Sequence, residues 1–253
     1  MKTLFVGQNI IHLKSVDSTN SYASELLRQI KLSEGTIIYT FNQEKGRGQR
    51  GNSWESEPNK NIALSLVLHP TFLSAERQFF LTKCISVAVA DLMAEVLEAS
   101  GKSAQVNIKW PNDIYVNDKK IAGILIENNL RDNVIQSTIA GIGVNVNQRK
   151  FISNVNATSL ELLTNKEFDL MLLIERLSEF IEARYLQLKA NKLDIIDPDY
   201  LKRLYRLNSW TNFSSNDQQF EGEIIGVSEN GKLQVTLRTN EIKEFELKEI
   251  SFI

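Results

Sequence analysis

The chain has 253 residues, with 29 lysines and arginines against 31 aspartates and glutamates, a net charge of −2, and one cysteine. That length can bury one substantial core with room for a small second unit, and the charge balance argues against a protein that coats nucleic acid, whose footprint is a basic surplus. A lone cysteine excludes an internal disulfide framework and fits a reducing compartment. The opening MKTLFVGQNIIHLKS lacks the apolar stretch and small-residue cleavage site of a secretory signal, and no run reaches bilayer-spanning length, so a cytoplasmic protein without membrane contact is expected. His12 and His69 stand too far apart for metal-ligand spacing, and Cys84, next to Ile85, reads as a core thiol.

Ile10 to Ser15 predicts a short strand. Ser18-Thr19-Asn20 then offers capping side chains ahead of Tyr22, Ala23, Leu26, Leu27 and Ile30, one face of an amphipathic helix. Such a helix start also suits a polar or anionic ligand, although simple capping is the commoner use. Thr36 to Phe41 is β-rich and runs into NQEKGRGQRGNSW, Asn42 to Trp54. Three glycines there allow close backbone approach and positive φ. Arg47 and Arg50 carry planar forks for carboxylate or phosphate, and Trp54 supplies an apolar lid with one polar handle. The segment reads as a mobile loop able to wrap an anion, or else as a solvated hairpin end.

Asn61 to Leu68 predicts a buried strand and Ser74 to Ser100 a long helix stopped by Gly101. Four strands follow at Val106 to Lys109, Ile114 to Val116, Ile121 to Glu127 and Ile135 to Gly141, with a tight turn at Asn117-Asp118. In KWPND, Lys109 to Asp113, proline removes a donor and extends Trp110, so Asn112 and Asp113 stand held at a strand start. Lys120 is the last cation before an apolar run, its stem in the sheet and its ammonium toward a pocket. Two glycines in the strand GIGVN, Gly141 to Asn145, imply that something lies close against it. Asn145 offers both donors and an acceptor, suited to a metal-bound phosphate or a ligand amide.

Helices are expected at Thr158 to Leu163, Asp169 to Ala190 and near Pro198 to Leu204. From Trp210 onward the chain turns to short strands, Gln219 to Val227, Lys232 to Leu237 and Glu241 to Glu246, the pattern of a small β-barrel-like unit. The fold class expected is α+β: a mixed, mostly antiparallel sheet with helices over residues 1–205, then an all-β unit over 206–253.

GRGQRGNSW, KWPND, KIAGILIE and GIGVN occur in this order, with STN ahead of them and ATSL, Ala157 to Leu160, behind. Together they closely resemble the biotin protein ligases over most of the chain; KWPND followed by K-x-A-G-I-L-x-E is the most specific element. The resemblance implies a class II synthetase-like biotin/lipoate ligase fold with an SH3-like C-terminal barrel. Some members carry an N-terminal helix-turn-helix repressor domain; with STN beginning at Ser18, the ligase-only class is expected. It also implies ATP and Mg2+ with biotin as substrate, a biotin carboxyl carrier domain of a carboxylase as acceptor, no nucleic acid, and a monomer or homodimer. The nearest rival, a lipoate ligase, calls for a different glycine-rich signature. A nucleotide- or RNA-binding protein without catalysis calls for further basic runs.

The site residues implied follow from matching motifs. Ser18, Thr19, Asn20 and Gln43 match the segments that bond the biotin head group, and Gly123 and Gly141 match glycines against which the ligand packs. Gly46, Arg47, Gly48, Gln49, Arg50 and Trp54 match the phosphate-and-adenylate loop. Lys120 matches the lysine beside the biotin carboxylate and α-phosphate. Asn145 matches the asparagine near metal-bound phosphates; no direct protein metal ligand is assigned. Asp113 is expected to position Lys120 or to accept a proton from the incoming amine. One departure stands out. Many relatives have arginine after the second glycine, where this chain has Gln49, a donor without charge. We expect Gln49→Arg to release less free adenylate than the wild type in an assay without acceptor protein; equal release from the two would contradict a weaker hold on the intermediate.

Overall fold

Asn61–Leu68, an eight-residue run of which every member is buried, becomes an interior strand of a seven-stranded sheet in the computed structural model, which describes residues 2–152 and 156–253. In chain order the main body contains β1 (Ile10–His12), α1 (Thr19–Gln29), β2 (Ile37–Thr40), β3 (Gly46–Arg47), β4 (Ser53–Trp54), β5 (Asn61–Leu68), α2 (Phe79–Ala99), β6 (Val106–Lys109), β7 (Asp113–Val116), β8 (Lys119–Arg131), β9 (Val134–Asn145), α3 (Leu160–Thr164), α4 (Leu170–Lys189) and α5 (Leu193–Lys202). The sheet order is β1-β2-β5-β9-β8-β7-β6; β1 pairs parallel to β2 and every other pairing is antiparallel. Then come β10 (Trp210–Ser215), β11 (Gln218–Val227), β12 (Leu233–Leu237), β13 (Ile242–Phe245) and β14 (Ser251–Phe252), an antiparallel sheet of order β13-β12-β11-β10-β14. The architecture is the expected mixed α+β body followed by a β-rich, SH3-like C-terminal unit.

Side chains alternate across a pleated sheet, and the cross-strand register sorts them into two unlike faces. One row, Ile62, Val144, Ala122, Ile114 and Ile108, packs into the main core with Leu81, Ile85 and Leu92 of α2. The adjacent row on the opposite face reads Ala63, Gly143, Gly123, Asp113 and Lys109. Farther along that second face Ile38, Val67 and Ile139 are covered by Ala23 of α1. The small residues are left outside the helix's cover, and there the site forms.

Several elements differ from their sequence reading. β8 continues past the expected end at Glu127 through the polar Asn128–Arg131 stretch, and its hairpin with β9 closes on Asp132 and Asn133, both at positive φ. The expected turn at Asn117 and Asp118 likewise has positive φ at both residues, the condition for a tight two-residue hairpin. The long helix begins at Phe79, preceded by a single 3₁₀ turn at Ala75–Arg77. α5 starts at Leu193, ahead of Pro198, which lies inside it. Burial of Ile196 and Tyr200 holds that helix together although Pro198 supplies no N–H. β10 and β14 were not anticipated as strands; β10 is polar at most positions and β14 has two residues. Cys84 is buried as expected, and burial pushes its thiol pKa far up, which leaves it unreactive.

The N-terminal segment is tied down by one carboxylate. Glu182 of α4, nearly buried, accepts backbone N–H groups from Leu4 (2.7 Å), Phe5 (2.8 Å) and Val6 (3.0 Å). Removing it orphans three donors, of which the Val6 N–H is buried. Glu182→Ala is expected to lower unfolding free energy by about 3 kcal/mol, read as a reduced urea midpoint. An unchanged midpoint would show that these bonds contribute nothing net.

Candidate active site

Gly123 and Gly143 form the floor of a cavity of about 180 Å³ whose walls come from α1, the glycine-rich segment and the KWPND turn. A Cβ on Gly143 would stand 2.5 Å from Cε2 of the Trp54 indole, and one on Gly141 would stand 2.3 Å from Oδ1 of Asn20. The glycines thus admit close neighbours, as their place in a strand implied, and the neighbours are side chains of the chain itself. A Cβ on Gly123 would lie 3.1 Å from the same indole and 3.3 Å from Cε of Lys120.

The Asn42 to Trp54 segment is not an open loop. Gly46–Arg47 and Ser53–Trp54 pair antiparallel as a two-stranded ribbon around a 3₁₀ turn at Gln49–Gly51. It lies across the cavity with Trp54 against the sheet. Lys45 pairs with Asp17 at 2.9 Å, and Arg47 donates from Nη2 to Glu127 (2.9 Å) and from Nη1 to Ser21 (3.1 Å). The Trp54 indole N–H is buried without a partner among the described residues, a cost on the order of 1–3 kcal/mol.

At the other end, Ser18 caps α1 by accepting the Ser21 N–H, and Thr19 donates its backbone N–H to Oε1 of Gln43 at 2.9 Å. Asn20 is buried; its Oδ1 accepts from Ser65 Oγ (2.5 Å) and its Nδ2 donates to Glu127 (2.8 Å). The capping reading of STN holds, and the positive end of the α1 peptide dipoles lies at the cavity wall.

Lys120 and Asp113 form an ion pair at 2.7 Å, and Lys120 Nζ also lies over the Trp54 ring at 5.6 Å from its centroid. Asp113 is positioned by the KWPND turn, which is fixed from three sides. Asn112 donates to the Ile124 carbonyl, Tyr200 Oη donates to the Pro111 carbonyl (2.9 Å), and Trp110 donates to the Gly231 carbonyl of the C-terminal unit (2.9 Å). The Trp110–Pro111 peptide is cis. The backbone of Lys120 is clasped by the ATSL segment: its N–H reaches Asn156 O (2.7 Å), and its carbonyl accepts from Thr158 N–H (2.8 Å).

Of the expected residues, Ser18, Thr19, Asn20, Gln43, Arg47, Gly48, Gln49, Trp54, Asp113, Lys120, Gly123 and Gly141 line this one cavity. Gly46 and Asn145 do not. Gly46 backs against the Trp54 carbonyl within the ribbon. Asn145 is buried at the end of β9, where its Nδ2 donates to the Thr158 carbonyl at 3.1 Å, so it braces the segment that clasps Lys120. The Arg50 side chain lies outside the described residues.

Sequence reasoning missed Lys109 and Glu127, and it assigned no residue of the C-terminal unit to the site. Lys109 lies opposite Asp113 in the β6–β7 pairing and beneath Phe252, 4.7 Å from its ring centroid. Burial holds its ammonium below the usual lysine range, with Asp113 opposing the shift and Arg206 and Lys120 adding to it. Leu247 and Lys248 bring the C-terminal unit to the cavity rim. The register of Lys109 against Asp113 was accessible from the short KWPND turn; the contact with residues 247–252 was not.

Comparison with known proteins agrees with this arrangement. Residues 12–145 match the biotin/lipoate A/B protein ligase family. The chain is 32% identical over 247 residues to the bifunctional ligase/repressor BirA of Bacillus subtilis, covering 95% of this chain and 73% of that protein. It is 38% identical over 136 residues to the biotin–[acetyl-CoA-carboxylase] ligase of Paracoccus denitrificans, 53% of each. Its fold superposes on the biotin protein ligase from Aquifex aeolicus in complex with biotin and ATP with a TM-score of 0.76 and 28% identity, over 97% of this chain and 99% of that one.

The glycine floor sets the seat of the ribbon. Gly143→Ala puts a methyl group into the indole and is expected to speed tryptic cleavage between Asn42 and Trp54 without unfolding the sheet. Unchanged cleavage would show that Trp54 does not depend on that contact.

Proposed function

The chain belongs to the biotin/lipoate A/B protein ligase family, and on that premise we propose the assignment of roles that follows. It catalyses ATP-dependent biotinylation of a carboxylase carrier protein. The biotin carboxylate attacks the α-phosphorus of ATP, forming biotinyl-5′-adenylate and expelling pyrophosphate. The amine of an acceptor lysine then attacks the acyl carbon and AMP leaves.

The observation that carries the residue assignment is the Lys120–Asp113 pair, held over a glycine floor with Lys109 and Arg47 at the same cavity. A carboxylate approaching a triphosphate meets like charge, so preorganised cations are the largest help available. Lys120 stands between the biotin carboxylate and the α-phosphate and offsets charge developing on both. Asp113 holds that ammonium in place. It also takes the proton of the acceptor lysine, which titrates near ~10.4 when free and attacks only as the neutral amine. Ser18, Thr19, Asn20 and Gln43 bond the ureido head, while Gly141 gives room to the Asn20 amide and Gly123 to the Trp54 ring and the Lys120 stem. Arg47, Gly48 and Gln49, with Gly46 and Arg50 in the same ribbon, hold the phosphates and adenylate, and Trp54 covers them. Asn145 acts at one remove, through Thr158 and the backbone of Lys120.

Among the described residues no group of three His, Cys, Asp or Glu could hold a metal. That donor set suits Mg2+ carried mainly by phosphate and water, where it neutralises triphosphate charge.

The Trp54 indole rests on the Gly123 and Gly143 floor, in space a ligand would share. On this reading the ribbon lifts to admit substrates and closes again over the adenylate, a mixed anhydride that water would destroy. The unpartnered indole N–H makes lifting cheaper. Residues 1–205 act as the catalytic unit and 206–253 as a rim that reaches the nucleotide end of the cavity. No described helix is long and apolar enough to cross a membrane. The same reading makes it a cytoplasmic ligase working as monomer or homodimer, and the net charge of −2 supports the absence of a nucleic-acid-coating role.

Lys120→Ala is expected to abolish biotin-dependent pyrophosphate release with an unaltered circular dichroism spectrum. Retained release would remove Lys120 from the chemistry. Tryptic cleavage within Asn42 to Trp54 is expected to slow when biotin and MgATP are both present, and equal rates would contradict closure over the intermediate.

A further inference from the structure

Glu127 closes the KIAGILIE motif, yet no step of the reaction uses it. Both of its oxygens are engaged, and their partners belong to the two arms of the site. Oε2 accepts from Asn20 Nδ2 at 2.8 Å, and Oε1 accepts from Arg47 Nη2 at 2.9 Å. Asn20 sits in the segment at the start of α1 and Arg47 in the ribbon, so a single carboxylate spans the junction between them. Its side chain is about one-third exposed and that of Arg47 about half.

Two physical consequences follow. An ion pair at that exposure is weak, in the range measured for surface pairs, so an incoming carboxylate or phosphate can take the guanidinium from Glu127 without a large penalty. The bond to Asn20 is more sheltered, because Asn20 is buried and its other end is fixed by Ser65. An ionised carboxylate accepts only. With the Leu125 carbonyl, which accepts from the same Nδ2 at a longer 3.3 Å, it fixes the Asn20 amide with nitrogen toward Glu127 and oxygen toward Ser65. A glutamine could accept from Asn20 or from Arg47 but would turn a donor toward the other.

We propose that Glu127 is a positioning residue that couples the biotin segment to the ribbon, orienting the Asn20 amide while holding Arg47 in reserve until a substrate anion claims it. The proposal rests on the ligase reading above and deepens it. Exchange of partners at Arg47 makes closure answer to the ligand's charge, and the retained Asn20 bond keeps the head-group contacts intact while the ribbon moves.

The test is Glu127→Gln in the full chain, with trypsin cleavage of the ribbon and steady-state kinetics measured side by side. Without substrates, cleavage is expected to rise about 2- to 5-fold, the range a surface ion pair supports, since proteolysis tracks the open population. The KM for biotin is expected to rise about five-fold through the misoriented amide, with the loss falling on KM rather than kcat. Unchanged cleavage and KM would overturn the proposal. A fall in kcat at constant KM would also overturn it, because Glu127 would then act in the chemistry. Ser21→Ala is the second variant: it loosens Arg47 without touching Asn20, so cleavage should rise while biotin KM stays put. A KM rise in Ser21→Ala equal to that of Glu127→Gln would count against coupling through the carboxylate. Wild-type protein that transfers no biotin to a carrier domain would instead sink the ligase reading.

Discussion

A sheet whose two faces obey opposite demands is the constraint on which the rest of this molecule depends. On one face, branched aliphatic side chains such as Ile62, Val144 and Ile114 fill the space beneath α2 at core density. On the other, the same strands present Ala63, Gly143 and Gly123 in register, so the backbone itself is the surface. Glycine in a strand interior weakens it. The surrounding pairings of β5, β9 and β8 and the buried aliphatic face offset that cost. Any side chain on that floor would fill the volume that a ligand and the Trp54 indole must share.

Charge is arranged around this floor with little waste. Lys120, Lys109 and Arg47 all reach the cavity, and each already has company: Asp113 for Lys120, the rings of Tyr115 and Phe252 for Lys109, and Glu127 for Arg47. Isolated buried cations would be expensive. Held in this way they stand in fixed positions around an anionic reaction path. The depressed ammonium of Lys109 records the expense of placing a third cation under an aromatic cover.

The KWPND turn links parts of the chain that are distant in sequence. Through Asn112 it holds the sheet, through Pro111 it accepts from α5, and through Trp110 it reaches the C-terminal unit. A Cβ on Gly231 would meet the Phe79 ring at 2.5 Å, so that unit docks at the start of α2 as well. The core runs continuously from the main sheet to Phe213 and Ile224 of the C-terminal strands. Placement of Asp113, and through it Lys120, is thereby shared among three regions of the molecule.

Local chemistry already written in the sequence determined much of this. Capping by Ser18, the two-residue turn at Asn117 and Asp118, the buried run of Asn61–Leu68 and the strand glycines each follow from short-range sterics or periodicity, and the ordered motifs pointed to one family. Pro198 misled, because packing of Ile196 and Tyr200 outweighs a missing N–H; the polar end of β8 was invisible to a reading based on apolar alternation. Which partners meet was decided only by the tertiary structure. That Arg47 rests on Glu127, that Asn145 braces Thr158 rather than facing the cavity, and that Phe252 covers Lys109 all depend on register and docking between segments far apart in the chain. Side-chain identity fixes what a residue can bond; only the folded backbone fixes what comes within reach.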